Sequence, residues 1–291
     1  MSFEAFEDRS INYARKLIKT PSLSGEEKDL ALLVKDLLIE IGVDDVFIDE
    51  IGNVVALIKG KSDVAVMFEG HLDHVPPGNL ALWKVDPYSA KIIEGKLFGR
   101  GSVDMKSAIA AMISAASQIS SKENNLTLYL SFVVHEETVE GVALRHVVEK
   151  HIKQKLKLVI LGEPTSLNLG IGHRGRCLIE IDFYGKTAHA SMPDLGINTI
   201  EAAAKFLMQV EKLKSVLPYH PKLGSATITP ISIDCMPKMQ PQLPDKSKIV
   251  FDRRVVIGED ERSVIEPLMK IISYMKNNNE VIDGSVKILE E

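Results

Sequence analysis

The chain has 291 residues, 45% of them hydrophobic and 26% charged, which suits a soluble globular protein with room for two domains and excludes intrinsic disorder. Its 35 basic and 40 acidic residues give a net charge of -5, so a general nucleic-acid or anionic-membrane binder is not expected. Cys177 and Cys235 are the two cysteines, far apart and outside any C-x-x-C pattern, so a metal would be held by carboxylates and imidazoles.

The N-terminal stretch MSFEAFEDRSINYARKLIKT carries acids among its apolar residues and reads as an amphipathic helix, not as a signal peptide. No apolar run is long enough to span a bilayer, which sets a cytoplasmic location and no membrane partner as the expectation. Ser24 and Glu27 have capping-box spacing ahead of a helix from Leu30 to Glu40, closed by Gly42. Strands are expected at Asn53 to Ile58 and Val64 to Phe68, then a hairpin over Ala90 to Phe98 that turns at Gly95. A small-residue helix follows over Lys106 to Ile119, then a strand over Leu126 to Val134, a helix over Val142 to Ile152 and a short buried strand over Leu156 to Leu161. This alternation predicts a layered α/β domain with a central, mostly parallel sheet.

The rhythm then changes. A strand over Leu178 to Tyr184, a helix over Thr199 to Leu217, strands over Ala226 to Ile233 and Lys248 to Val256, a helix over Glu261 to Lys276 and a strand over Ser285 to Leu289 give the order β-α-β-β-α-β. The expected division is therefore a domain over residues 1–173 and a smaller one over residues 174–291.

Acidic and imidazole groups recur where the strands of the first domain stop: His71 and Asp73, then Asp104, then Glu136 and Glu137, then Glu163. The carboxyl ends of strands in an open α/β sheet border the ligand crevice, so these positions can converge. Carboxylates gathered without a cation would repel one another, whereas two divalent ions about 3.5 to 4 Å apart use these ligands in a hydrolytic centre. Asp104 suits the bridging position. In the adjacent pair, one carboxylate can bind metal while the other handles a proton.

The segments GHLDHVPPGN, FGRGSVDMKSAIAAM, HEETVEG, GEPT and HRGRCLIEIDFYGKTAHASMPDLGINTIEAAAKF, in that order, resemble the signatures of the M20 metallohydrolases. That group contains acetylornithine deacetylase, succinyl-diaminopimelate desuccinylase, aminoacylase and glutamate carboxypeptidase. The resemblance implies His71 as a metal ligand with Asp73 as its orienting carboxylate, and Asp104 as the bridge, followed by a cis peptide before Met105. It implies Glu136 as general base, with Glu137 and Glu163 as ligands of different ions. Zinc is the expected metal, with cobalt or manganese as alternatives. The second domain resembles a lid and dimerisation domain, in which His189 stabilises the oxyanion across a homodimer, Arg254 pairs with the substrate carboxylate and Asn198 fits the lid helix. The implied substrate is a small N-acyl amino acid or peptide.

Three features depart from the family pattern. His74 stands where a small residue is usual, and reads as a bystander. Pro241 and Gln242 replace an expected asparagine. Family members also run past the lid to a late histidine that completes the second metal shell, whereas this sequence ends at Glu291, so a truncation or fragment is expected. His74 and His135 are the nearest replacements for that histidine. Part of the catalytic sheet would then be uncovered, and the competing reading is a catalytically inactive metal-binding or dimerisation protein.

Overall fold

The computed structural model describes residues 3–119 and 124–290; Met1 and Ser2, at the start of the expected N-terminal helix, lie outside them, as does Glu291. Two units separate by their internal contacts, Met1–Asn168 and Leu169–Glu291.

The first unit opens with helices α1 (Phe3–Ile18) and α2 (Lys28–Glu40) and the antiparallel strands β1 (Asp45–Ile48) and β2 (Val54–Ile58). Strand β3 (Val64–His71), the hairpin β4 (Lys91–Ile93) and β5 (Lys96–Phe98), helix α3 (Lys106–Ala116), strand β6 (Thr127–Val133), helix α4 (Val142–Lys150) and strand β7 (Lys155–Leu161) complete it. The sheet order is β1-β2-β6-β3-β7. Strands β3, β6 and β7 pair in parallel, and only β2 is reversed against its neighbours β1 and β6, so the sheet is mostly parallel in direction, as the alternation predicts. Every residue of β6 is buried, which requires cover on both faces of the sheet. Leu17, Leu30, Val34, Leu38, Met67, Ile109, Leu130 and Phe132 belong to one continuous core.

Two local expectations need correction, and one strand was not expected at all. Ser24 and Glu27 do not form a capping box: Glu27 occupies the N-cap of α2 in a helical conformation with no side-chain cap bond. Their side chains serve the strand ends instead, Ser24 Oγ donating to Asp73 Oδ2 at 2.6 Å and Glu27 Oε1 accepting the His135 N–H at 3.0 Å. Strand β7 is not buried: it is a sheet edge, and Leu158, Ile160 and Leu161 remain exposed. An apolar run looks alike in sequence whether or not another layer covers it. Strand β1 was not expected, its four residues being too few for a periodic signal.

The second unit contains β8 (Gly175–Tyr184), α5 (Thr199–Lys214), a short hairpin of β9 (Tyr219–His220) and β10 (Gly224–Ser225), β11 (Thr227–Met236), β12 (Lys246–Val255), α6 (Glu261–Asn277) and β13 (Asp283–Glu290). Its main sheet, β11-β12-β8-β13, is antiparallel throughout. Alternate residues of β8 (Cys177, Ile179, Ile181 and Phe183) and of β12 (Ile249 and Phe251) pack with Phe206 of α5 and Leu268 and Ile272 of α6 in a second core. Burial with period two marks a sheet whose helices lie on one face. Among the described residues, no helix is long and apolar enough to cross a membrane.

Candidate metal centre

Parallel pairing sets the carboxyl ends of three strands side by side. In register, His71 of β3 lies beside Val133 of β6, and Glu69 of β3 beside Leu161 of β7. The residues that follow, Val134 to Glu137 on one side and Gly162 to Glu163 on the other, therefore flank the end of β3. Asp104 enters from the turn before α3, and the peptide joining it to Met105 is cis. Met105 packs so closely on Gly70 that a Cβ there would stand 2.5 Å from its Cε, and the Sδ of Met105 accepts the His71 N–H at 3.2 Å.

His71 is buried, with Nδ1 2.9 Å from the backbone carbonyl of Asp73. A carbonyl only accepts, so Nδ1 carries the proton and the lone pair of a neutral ring lies on Nε2. That nitrogen faces carboxylates, Asp104 Oδ1 at 2.8 Å and Glu163 Oε1 at 3.9 Å. Ligand atoms of His71, Asp104 and Glu137 all lie within 4.8 Å of one another. A lone pair set against carboxylate oxygens requires a cation between them. In the metal-free chain a proton serves: burial opposes it, but the Asp104 and Asp73 hydrogen bonds and the charges of Glu136 and Glu163 push His71 up to about 11. Burial raises Glu137 and Glu163 as well, with Asp104 adding repulsion to both. The donor set thus fits a divalent ion.

Asp73 is the organiser of this edge. Burial would raise its carboxyl, but His71, Ser24 and the backbone N–H of Glu137 hold it below the usual range. Its Oδ1 accepts the Glu136 N–H and its Oδ2 the Glu137 N–H, each at 3.1 Å. Glu136 and Glu137 lie in a turn beyond β6, not on a strand end, and both their N–H groups close on this one carboxylate. The orienting contact to His71 is the Asp73 carbonyl, the carboxylate oxygen standing at 3.4 Å. Burial, with Glu163 and Glu140 among the neighbouring acids and His71 opposing, raises Glu136 to about 7.

His74 has both ring nitrogens engaged: Nε2 accepts the Ser22 N–H at 3.1 Å and Nδ1 donates to the Val75 carbonyl at 2.9 Å. This is the bystander arrangement. His135 is exposed at φ 58°, outside the cluster. The residue that sequence reasoning missed is Glu69, 3% exposed on the same face of β3 as His71 and pushed up to about 8 by burial and then by Glu163. An acid in an apolar strand, two residues before His71, was the available signal.

The remaining expected site residues belong to the second unit. His189 is exposed, its Nδ1 standing 2.8 Å from Ser191 Oγ and 3.2 Å from the Ser191 backbone nitrogen. Asn198 caps α5, its Oδ1 accepting the Ile200 N–H at 3.0 Å. Arg254 donates through Nε to Asp252 Oδ1 at 2.9 Å, with Arg176 on the other oxygen at 3.0 Å.

Residues 67–239 match the profile of peptidase family M20/M25/M40, more than half of the chain. The chain belongs to this M20 family. Among its relatives, the uncharacterised YgeY protein of Escherichia coli K12 is 29% identical over 268 residues, covering 91% of this chain and 66% of that protein. Succinyl-diaminopimelate desuccinylase of Buchnera aphidicola subsp. Cinara cedri is 35% identical over 216 residues, covering 70% of this chain and 56% of that enzyme. The chain therefore spans less than two thirds of the length of either. Among solved structures, the YXEP protein of Bacillus subtilis, described as a dinuclear metal binding peptidase from the M20 family, shares the fold with a TM-score of 0.65. It is 18% identical, and the match covers 98% of this chain and 74% of that one. Within this M20 chain, GHLDHVPPGN spans the last two residues of β3 and the loop that leaves it, HEETVEG lies in the turn after β6 and GEPT just past β7.

Proposed function

We propose that this chain carries the metal centre of an M20 amidohydrolase that removes an acyl group from an N-acyl amino acid or cleaves a peptide amide next to a carboxylate. The observation that carries the reading is His71 Nε2, the ring nitrogen not engaged by the Asp73 carbonyl, directed at Asp104 and Glu163, with Glu137 beside them. His71, Asp104, Glu137 and Glu163 would hold two divalent ions, zinc first and cobalt or manganese as substitutes, with Asp104 shared between them. Bound there, the ions supply Lewis acidity toward the scissile carbonyl and toward water.

The chain's own groups divide the remaining work. Glu136 accepts a proton from the attacking water at its carboxylate and returns it to the leaving amine nitrogen. Its elevated proton affinity is the property such a shuttle needs. His189 is the donor to the developing oxyanion, a role supported by the engagement of its Nδ1 with Ser191, which leaves Nε2 as the ring nitrogen for that contact. Arg254, braced by Asp252, pairs with the substrate carboxylate, and Asn198 sets the start of the lid helix. A homodimer through the second unit belongs to this reading, supported by Ile231, Ile233 and Met236, exposed on edge strand β11. A cytoplasmic location belongs to it as well.

A second reading, metal binding without turnover, is favoured by one observation: among the described residues the cluster offers a single imidazole, His71. Hydrolysis of N-succinyl and N-acetyl amino acids, measured after chelation and resupply of zinc, separates the two. The first reading expects turnover that chelator abolishes, with Glu136→Gln retaining metal and losing about 10²- to 10⁴-fold in rate. Unchanged turnover in Glu136→Gln would refute the base assignment, and no turnover with any of the three metals would favour the second reading.

A further inference from the structure

We propose that Asp49, Glu50, His146 and His151 form a second divalent-metal site, of the zinc type, sharing no residue with the His71 cluster. One ligand atom from each of the four lies within 4.8 Å of all the others. Two imidazoles and two carboxylates are a donor set that suits zinc, and four protein ligands make a closed, structural site.

The geometry is built from two elements. Asp49 and Glu50 occupy the turn between β1 and β2, and His146 lies on α4 with His151 at its C-cap. Asp49 is fixed before any ion arrives. Its Oδ1 accepts the N–H groups of Ile51, Gly52 and Asn53 at 3.1, 2.9 and 2.8 Å, and its Oδ2 accepts Asn53 Nδ2 at 2.8 Å. His151 is held by the ring of Phe47, edge-on at 5.1 Å between centroids. Such surroundings orient metal ligands.

The ring nitrogens aim inward. His146 Nε2 stands 2.9 Å from Glu50 Oε1 and 3.9 Å from Asp49 Oδ2, while His151 Nε2 stands 3.6 Å from Asp49 Oδ2 and 3.7 Å from Glu50 Oε2. Ligands of tetrahedral zinc are separated by about 3.3 Å, so small side-chain rotations bring all four to bonding distance. The telling atom is His151 Nε2, which is shielded from solvent and makes no hydrogen bond although two carboxylates flank it almost equally. Simple ion pairing would leave that nitrogen hydrogen-bonded to one of them. A shared ion explains its position between both.

An ion here would clip the end of α4 to the β1–β2 turn. Asn53 extends the clip, since its Nδ2 also reaches the Ala143 carbonyl at 3.4 Å and its Oδ1 accepts the Val134 N–H at 3.0 Å. Val134 leads directly into the turn that carries Glu136 and Glu137.

The test is a zinc titration of the chelator-treated 291-residue chain, followed by the ring ¹⁵N signals of its eight histidines, each assigned by a His→Gln variant. The expected result is a metal-bound shift of His146 and His151 together, absent with magnesium, and at least roughly tenfold weaker zinc binding at these rings in Glu50→Gln. Glu50 is 61% exposed, so that variant tests the site without disturbing the core. Zinc-dependent shifts at His71 with none at His146 and His151 would overturn this proposal and leave the proposed function standing. Shifts at His146 and His151 alone would sustain it and count against the other. Equal zinc affinity in Glu50→Gln would overturn the four-ligand set.

Discussion

The carboxylate of Asp73 accepts three hydrogen bonds, from Ser24 Oγ and from the N–H groups of Glu136 and Glu137, so its loss leaves two turn amides without their acceptor. Asp73→Asn replaces one acceptor oxygen with a donor facing these N–H groups, and each orphaned buried group costs about 1–3 kcal/mol. The expected outcome is zinc affinity reduced roughly 10- to 100-fold with Glu136 and Glu137 displaced, read by calorimetric titration. Ser24→Ala removes the one contact that comes from outside the strand ends. It should weaken zinc binding while leaving the helicity of α2 unchanged, because Ser24 does not cap that helix. A loss of helicity with unaltered metal binding would restore the capping-box reading. His74 gives a pH prediction of definite sign. Burial foremost, with the charges of Lys106 and Arg100 adding, lowers its pKa below the ordinary 6.5, while the Val75 carbonyl and Asp73 oppose this. A depressed base is bound neutral in the fold, so its contribution is complete above pH 6.5 and is lost as pH falls below that value. The stability gap between the wild-type chain and His74→Gln should therefore be widest above pH 6.5 and narrow in acid, and parallel denaturation curves would contradict it.

At the scale of elements, the centre exists because β6, β3 and β7 are parallel and adjacent, which brings three chain segments distant in sequence to one edge. This much was legible: acids and histidines recur just beyond apolar runs, and strand ends border the crevice in such sheets. What was not legible is anything that depends on the partner of a side chain. Ser24 and Glu27 have the spacing of a cap and the same atoms serve a tertiary contact, a choice local sequence does not encode. Glu69 was overlooked because the expected strand stops at Phe68, whereas the observed one runs on to His71. Asp49, Glu50, His146 and His151 are dispersed over about a hundred positions and meet only when α4 packs beside the β1–β2 turn. The need for glycine at position 70 comes from the side chain of Met105, which local sequence does not encode. Gly70→Ala should cost about 1–3 kcal/mol by overpacking a fully buried methionine, with part of the loss recovered in a Gly70→Ala, Met105→Ala double variant. Strict additivity in chemical denaturation would mean the two residues do not press on one another.

For the whole molecule, the decisive fact is that the two units have separate cores, one running from Tyr13 to Val147 and the other from Cys177 to Val281. The proposed metal ligands all come from the first unit, whereas His189, Asn198 and Arg254 come from the second. Ile181→Ala, deep in the second core, should destabilise that unit by about 2–5 kcal/mol and leave zinc affinity at the His71 cluster unchanged below its melting transition. Turnover should fall in that variant, because the proposed roles of His189 and Arg254 depend on the second unit. The central claim is that the strand ends of the first unit hold divalent metal. Anomalous diffraction at the zinc edge, from crystals of the 291-residue chain grown with zinc, tests it most directly. Density should appear bonded to His71 Nε2 and shared with Asp104, with Glu137 and Glu163 turned toward it; zinc-saturated crystals with no peak at His71 would show that these strand ends hold no metal.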